Sequence, residues 1–220
     1  MSLLYDLVPT PGATRWVVML HGLGDSKEGW KPVAPMLGLD RVGWIFVQAP
    51  EAYGPGWSWF EFAGIGRAPD AAGILRSREL LRDLLKTLES HHRIPCEQII
   101  LMGFSQGCLM SLDVALRHDR RFAAVIALSG WVFEIDGYPA NLGTARQRIF
   151  QAHGRFDDVI PIERTRPQAE RLKALGLDLT WAEYDLDHGL DPDEELADIR
   201  AFVAAGPGSG VRGPGSCATP

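Results

Sequence analysis

Positive charge in excess, cysteine and long apolar runs are all scarce in this chain, and each shortage removes a class of function. Lys and Arg total 22 against 28 Asp and Glu among 220 residues, a formal net charge of -6. Nucleic acid is therefore not an expected partner, because phosphate neutralisation needs clustered cations. The three cysteines, Cys96, Cys108 and Cys217, show no metal-ligand spacing and are expected as free thiols in a reducing cytoplasm. The longest apolar stretches, such as FAAVIALSGWVF, fall short of the ~18 residues a membrane-spanning helix needs. MSLLYDLVPTPG lacks a basic segment followed by an apolar one, so no signal peptide is expected.

What is present suits a globular domain: 46% of the residues are apolar and 23% charged. The last 15 residues, GPGSGVRGPGSCATP, cannot build a core, which predicts a domain over residues 1–205 and a flexible Gly/Pro-rich tail over 206–220. A prenylation signal at Cys217 is not expected, because Thr and the final Pro fit that pattern poorly.

Short apolar runs alternate with longer amphipathic ones. Strands are predicted at Trp16–Leu20, Gly43–Val47, Gln98–Gly103, Ala123–Leu128, Arg148–Ala152 and Leu179–Tyr184. Helices are predicted at Lys31–Leu37, Ala71–His91, Gln106–Arg117, Glu163–Leu175 and Pro192–Ala204. In the longest, Ile74, Leu80, Leu81, Leu84, Leu85 and Leu88 form one face, Arg76, Arg78, Arg82 and Lys86 the other, and Asp70 precedes it as N-cap. Asp191 stands in the same relation to the last helix. Such alternation predicts an α/β fold, a mostly parallel central sheet with helices on both faces, and ligands beyond the carboxyl ends of the strands.

At such an end lies IILMGFSQGCLMSLDVAL, residues 99–116, where Gly-Phe-Ser-Gln-Gly separates a strand pattern from a helical one. A nucleophile raised on a strained turn needs neighbours without a β-carbon, and the helix behind it offers free N–H groups to an oxyanion. Ser105 is the candidate nucleophile. A serine hydroxyl needs a base, and the base an acid to orient it. QAHGRFDDVIP offers His153, Asp157 and Asp158; EYDLDHGLDPD offers Asp185, Asp187, His188 and Asp191. Taking Asp157 as acid and His188 as base places the three at the ends of three strands in the order Ser, Asp, His, with Asp158 as the rival acid. His91, His92 and His118 are expected on the surface, and His153 as a residue that shapes its loop. In VVMLHGLGDS the backbone N–H of Leu23, with that of Gln106, is placed to form an oxyanion hole, and His21 to steady that loop.

Aromatic side chains crowd the segment after the second strand: Tyr53, Trp57, Trp59, Phe60 and Phe62. Trp57, Trp59, Phe60 and Val159 are candidates for an apolar acyl pocket, and the stretch GWVFEIDGYPANLG is placed to border it. No metal and no organic cofactor is expected, since this chemistry needs neither.

LHGLGD, GFSQG, HGRFDDVIP, DHG and WSWFEF together resemble the carboxylesterase/phospholipase family of α/β-hydrolases, which includes the acyl-protein thioesterases. The resemblance runs from about residue 14 to 204. It implies a single-domain α/β-hydrolase with Ser105 as nucleophile, Asp157 rather than Asp158 as acid, His188 as base, and Leu23 and Gln106 at the oxyanion hole. The implied substrate is a small-molecule or acylated ester or thioester, with acyl-protein thioesterase and lysophospholipase as narrower alternatives. A hydrolase fold that only binds a ligand is the non-enzymatic one. Departures from the family pattern are Cys108 where another Gly is common, Glu61 where Asp is usual, and no N-terminal cysteine of the kind palmitoylated members carry.

Overall fold

A computed structural model of the chain describes residues 2–62, 64, 67–134 and 146–206. Seven strands form one twisted sheet in the order β1-β3-β2-β6-β7-β8-β9. These are β1 (Tyr5–Val8), β2 (Arg15–Leu20), β3 (Val42–Val47), β6 (Ile99–Phe104), β7 (Ala124–Leu128), β8 (Arg148–Gly154) and β9 (Asp178–Tyr184). Only β1, on the edge, runs antiparallel to its neighbour, with Tyr5 opposite Val47. The remaining pairs are parallel. A separate hairpin joins β4 (Glu51–Tyr53) to β5 (Gly56–Ser58).

The five α-helices among the described residues are α1 (Val33–Leu37), α2 (Ala71–His92), α3 (Gln106–Leu116), α4 (Ile162–Ala174) and α5 (Glu194–Ala205). Alternation along the buried strands divides the core. Val18, Leu20, Ile45, Leu101 and Val125 face α2, α3 and α4. Val17, Met19, Phe46, Met102 and Ile126 face the other layer, where Leu37 of α1 and Leu196, Ile199 and Phe202 of α5 pack. Helices therefore cover both faces, as a sheet that is apolar on both sides demands.

All six predicted strands and five predicted helices form, with ends displaced by one or two residues. β1, β4 and β5 are additional. The long helix needs one correction: Arg78 does not join Arg76, Arg82 and Lys86 on the solvent face. It is buried against α3, where its Nε and Nη2 donate to Asp113 at 2.6 and 2.9 Å. Arg117 Nε donates to the same carboxylate at 3.0 Å. Asp70 caps α2 as predicted, accepting from Gly73 N–H at 2.9 Å. The last helix begins two residues later than predicted, yet Asp191 still caps its entry, accepting from the N–H groups of Asp193 and Glu194, both at 2.8 Å. His91 and His92 are exposed, whereas His118 is half-buried and accepts from Arg120 N–H at 3.0 Å. The predicted tail beyond residue 206, with Cys217, lies outside the described residues, as does 135–143 of the stretch expected to border the site.

The strand order reverses at β2, whose parallel neighbours are β3 on one side and β6 on the other. Loops leaving β2 and β6 therefore diverge to opposite faces and open a crevice at the carboxyl edge of the sheet.

Candidate active site

Ser105 sits in that crevice between β6 and α3 with φ 54° and ψ -114°, a left-handed conformation that a non-glycine residue adopts only under tertiary constraint. The constraint is visible. Ser105 N–H donates to Leu128 O at 2.9 Å, and Ser105 O accepts from Leu109 N–H at 3.2 Å, the first turn of α3. A β-carbon on Gly103 would strike the Gly107 carbonyl, and one on Gly107 would strike that of Leu20. The two flanking glycines thus let α3 start against β2 and β6 and turn the Ser105 hydroxyl outward. A β-carbon on Gly130 would strike Cys108 and the Ser105 carbonyl, so the chain after β7 also closes on this corner.

The loops after β8 and β9 reach the same point. Arg155 N–H donates to Tyr184 O at 2.8 Å and Phe156 N–H to Leu186 O at 3.0 Å, which zips the two loops together. Asp157 is buried at the base of one loop and His188 stands half-buried on the other. His188 Nδ1–H donates to Asp157 Oδ2 at 2.7 Å, and the Ser105 hydroxyl donates to His188 Nε2 at 3.0 Å. The Phe104 ring packs on the His188 imidazole at 5.0 Å between centroids. Asp158, the rival acid, is exposed.

Asp157 is held on every side. Its Oδ1 accepts from the N–H groups of Val159 and Ile160 at 3.0 and 2.7 Å. His153 Nε2 donates to Ile160 O at 2.7 Å and lies 3.2 Å from Asp157 Oδ2. Burial alone would raise the affinity of this carboxylate for a proton. The hydrogen bonds from His153, His188 and Ile160 outweigh it and hold the Asp157 carboxyl well below the ordinary range.

On the facing side, the loop after β2 is fixed by His21, whose Nδ1–H donates to Gly22 O at 2.7 Å while its Nε2 accepts from Ala49 N–H at 3.1 Å. An Nε2 that accepts carries no proton, so the ring is a neutral strut, and burial lowers its proton affinity in the same sense. Gly24 N–H donates to Trp57 O, and Trp57 N–H to Asp25 O, both at 2.9 Å. The Gln106 side chain ties the start of α3 to β5: Oε1 accepts from Trp59 N–H at 3.0 Å and Nε2 donates to Phe60 O at 2.9 Å.

Two cavities flank the Ser105–His188 pair. The smaller, about 150 Å³, is lined by Leu23 and Gln106 and by the apolar side chains of Phe62, Trp131, Val159 and Ile160. The larger, about 320 Å³, lies on the other side, between the loop at 22–33 and Gly189–Leu190. The aromatic expectations therefore change. Trp59 and Phe60 do not line the pocket: they are 0% and 1% exposed, part of the core beneath it, where Trp59 Nε1–H donates to His21 O at 2.9 Å. Trp57 braces the loop after β2 and lines neither cavity. Val159 lies in the smaller cavity, beside Phe62 and Trp131, which the choice of pocket residues omitted although both stand in aromatic stretches that the sequence marks. A still larger depression, about 420 Å³, opens beside Cys96 and Arg120 at the amino ends of β6 and β7, away from this site. Arg120 there is spent on Glu89 and Glu97.

Among the described residues no group of His, Cys, Asp and Glu is arranged to hold a metal ion, and no helix is long and apolar enough to cross a membrane. Cys96 and Cys108 are buried free thiols; burial pushes Cys96 up to about 11 and Cys108 higher still. Chemically, the arrangement can deprotonate one hydroxyl beside an apolar pocket.

A serine on a strand-to-helix corner, bonded to a histidine that is in turn bonded to an aspartate, the two on loops after later strands of a parallel sheet, defines an α/β-hydrolase. Residues 8–206 match the model of the phospholipase/carboxylesterase family, and the chain belongs to that family. It is 35% identical over 217 residues to acyl-protein thioesterase 1 of Emericella nidulans, covering 86% of this chain and 89% of that one. It is 33% identical over 227 residues to acyl-protein thioesterase 1 of Candida albicans, covering 92% and 97%. Among solved structures it superposes on esterase PE8 with a TM-score of 0.85 at 25% identity, over 93% of this chain and 99% of that one. Acyl-protein thioesterase 2 of Zea mays shares the fold, with a TM-score of 0.77 at 22% identity over 91% and 97%.

Proposed function

We infer that the protein hydrolyses carboxylic esters, thioesters included, through an acyl-enzyme on Ser105. The observation that carries this is the unbroken line of hydrogen bonds from Ser105 Oγ through His188 to Asp157. His188 Nε2 takes the hydroxyl proton as Oγ adds to the carbonyl carbon, and Asp157 holds the ring with Nε2 free to accept. The N–H groups of Leu23 and Gln106 receive the developing oxyanion, each worth ~3 kcal/mol in the transition state. The tetrahedral adduct then breaks its C–O or C–S bond, and the alcohol or thiol leaves with the proton held by His188. A water molecule repeats the sequence, giving its proton to His188 and its oxygen to the acyl carbon, and Ser105 is regenerated.

The acyl group belongs in the smaller cavity, because Leu23 and Gln106 line it together with four apolar side chains. The curated relatives at 33–35% identity favour a thioester substrate, since both are named acyl-protein thioesterases. The cytoplasm is the fitting compartment for two buried free thiols. Ser105→Ala is expected to abolish both hydrolysis of p-nitrophenyl butyrate and labelling by a fluorophosphonate. Full turnover by that variant would refute the assignment, and a wild-type protein inert to the probe would leave a ligand-binding hydrolase fold.

A further inference from the structure

One carboxylate, Asp25, lines the larger cavity, and a second, the exposed Asp187, lies beside Gly189 at its mouth. On one wall the Asp25 carboxylate lies directly over Gly29, so close that a β-carbon there would collide with it. At Gly189 a β-carbon would stand 3.3 Å from Asp187 Oδ1. Both glycines line the cavity, as does Asp25 itself. Among the described residues neither Asp25 nor Asp187 has an ion-pair partner, and no Lys or Arg lines the cavity.

The nearest cations are already engaged. Lys27 and Lys31, on the same loop as Asp25, both reach Asp6, at 2.5 and 2.6 Å, and both pair with Glu28. Arg155, on the far side, pairs with Asp185. The floor is aromatic, Trp30 against Phe104 with centroids 5.5 Å apart. A concave site with negative rims over an apolar floor concentrates positive charge, and an aromatic floor adds to the attraction for an ammonium group.

We propose that this cavity is a leaving-group site selective for cationic alcohols and thiols, so that the preferred substrates are esters and thioesters whose departing group carries an ammonium. The proposal rests on the hydrolase reading above, which places the acyl chain in the smaller cavity. The departing atom then lies on the other side, next to His188, which lines both cavities and must protonate it. Anionic leaving groups meet the two carboxylates and are disfavoured.

The test compares three thioesters of one acyl group: butyrylthiocholine, its uncharged isostere S-(3,3-dimethylbutyl) thiobutyrate, and the anionic S-butyryl-3-mercaptopropionate. The measured quantity is the ratio of kcat/KM for the cationic to the neutral thioester, which is independent of the fraction of folded protein. Differences in leaving-group chemistry cancel when wild type and variant are compared. That ratio is expected to fall about fivefold in Asp25→Asn/Asp187→Asn, to fall in Asp187→Asn alone, and to shrink at high salt in the wild type, while the anionic thioester gains. Asp187 is exposed, so its variant keeps the test sound even if the change at Asp25 disturbs its loop. A ratio unchanged in both variants overturns the proposal. A wild-type protein that cleaves none of the three would instead overturn the hydrolase reading beneath it.

Discussion

His153 and His188 share one oxygen. Asp157 Oδ2 accepts from His188 Nδ1 at 2.7 Å and lies 3.2 Å from His153 Nε2, whose stronger bond, at 2.7 Å, goes to Ile160 O. His153 is fully buried and stacks on Trp181, and its Nδ1 has no hydrogen-bond partner among the described residues. The ring thus pins the turn that carries the acid. His153→Leu would leave a buried carbonyl unpaired and free Asp157 to turn, and is expected to lower kcat for p-nitrophenyl butyrate about tenfold. His153→Gln, whose amide N–H can reach the same carbonyl, is expected to recover most of that loss. Equal losses in the two variants would show that ring packing, not the hydrogen bond, is what matters.

Asp157→Asn keeps the size of the side chain but presents either an N–H to His188 Nδ1 or an uncharged oxygen, so the ring loses its tautomer and the imidazolium its counter-charge. The expected fall in kcat is about 10⁴-fold with little change in KM. Stability carries a second signature. Because the folded state holds this carboxyl below its ordinary value of 3.8, the stabilisation is complete above that value and is lost as pH falls below it. Urea titrations at pH 6 and pH 3 should therefore show a gap between wild type and Asp157→Asn that narrows at the lower pH.

Gly107 offers a packing test of the corner. A methyl group there would enter the space of the Leu20 and His21 carbonyls, which are backbone and cannot swing aside. Gly107→Ala must push α3 away from β2, at an expected cost of about 3 kcal/mol by chemical denaturation. The Ser105 hydroxyl moves with it, so fluorophosphonate labelling should slow even in protein that remains folded. Wild-type labelling together with wild-type stability would mean that the glycine spacing is incidental.

The corner and its partners were legible because they are local: a strand pattern, two glycines and a helix pattern in 18 residues, followed by acid and base each just past a strand. What was hidden depends on distant chain. Arg78 looks like its solvent-facing neighbours on α2, and only Asp113, placed on the wholly buried α3, draws it inside. Trp59, Phe60 and Phe62 are nearly equivalent in sequence. Which of them meets the cavity is decided by the bonds that Gln106 makes to the backbone at 59 and 60, leaving Phe62 free to lean on Trp131. β1 and the β4–β5 hairpin were missed because strands of three or four residues are too short to show an alternation of apolar and polar positions.

Glu195 gives a dependence on pH of the opposite sign to that of Asp157. It lies in the first turn of α5, 1% exposed, its Oε2 accepting from Asp191 N–H at 3.0 Å at the end of the loop that carries His188. Burial pushes its carboxyl up to about 7 from an ordinary 4.5, and the charges of Asp191 and Asp198 push the same way, against the Asp191 hydrogen bond. The unfolded chain releases this proton near 4.5 while the folded one retains it to about 7, so folding loses stability as pH rises across that interval and levels off above it. Glu195→Gln keeps an oxygen for the Asp191 N–H and removes the ionisation. The variant should match wild type near pH 4.5 and exceed it above pH 7 by about 3 kcal/mol, read as a difference in denaturation midpoint that grows with pH. A constant difference across that range would mean that Glu195 ionises as it does in water, and that the end of the His188 loop is held by the bond to Asp191 alone.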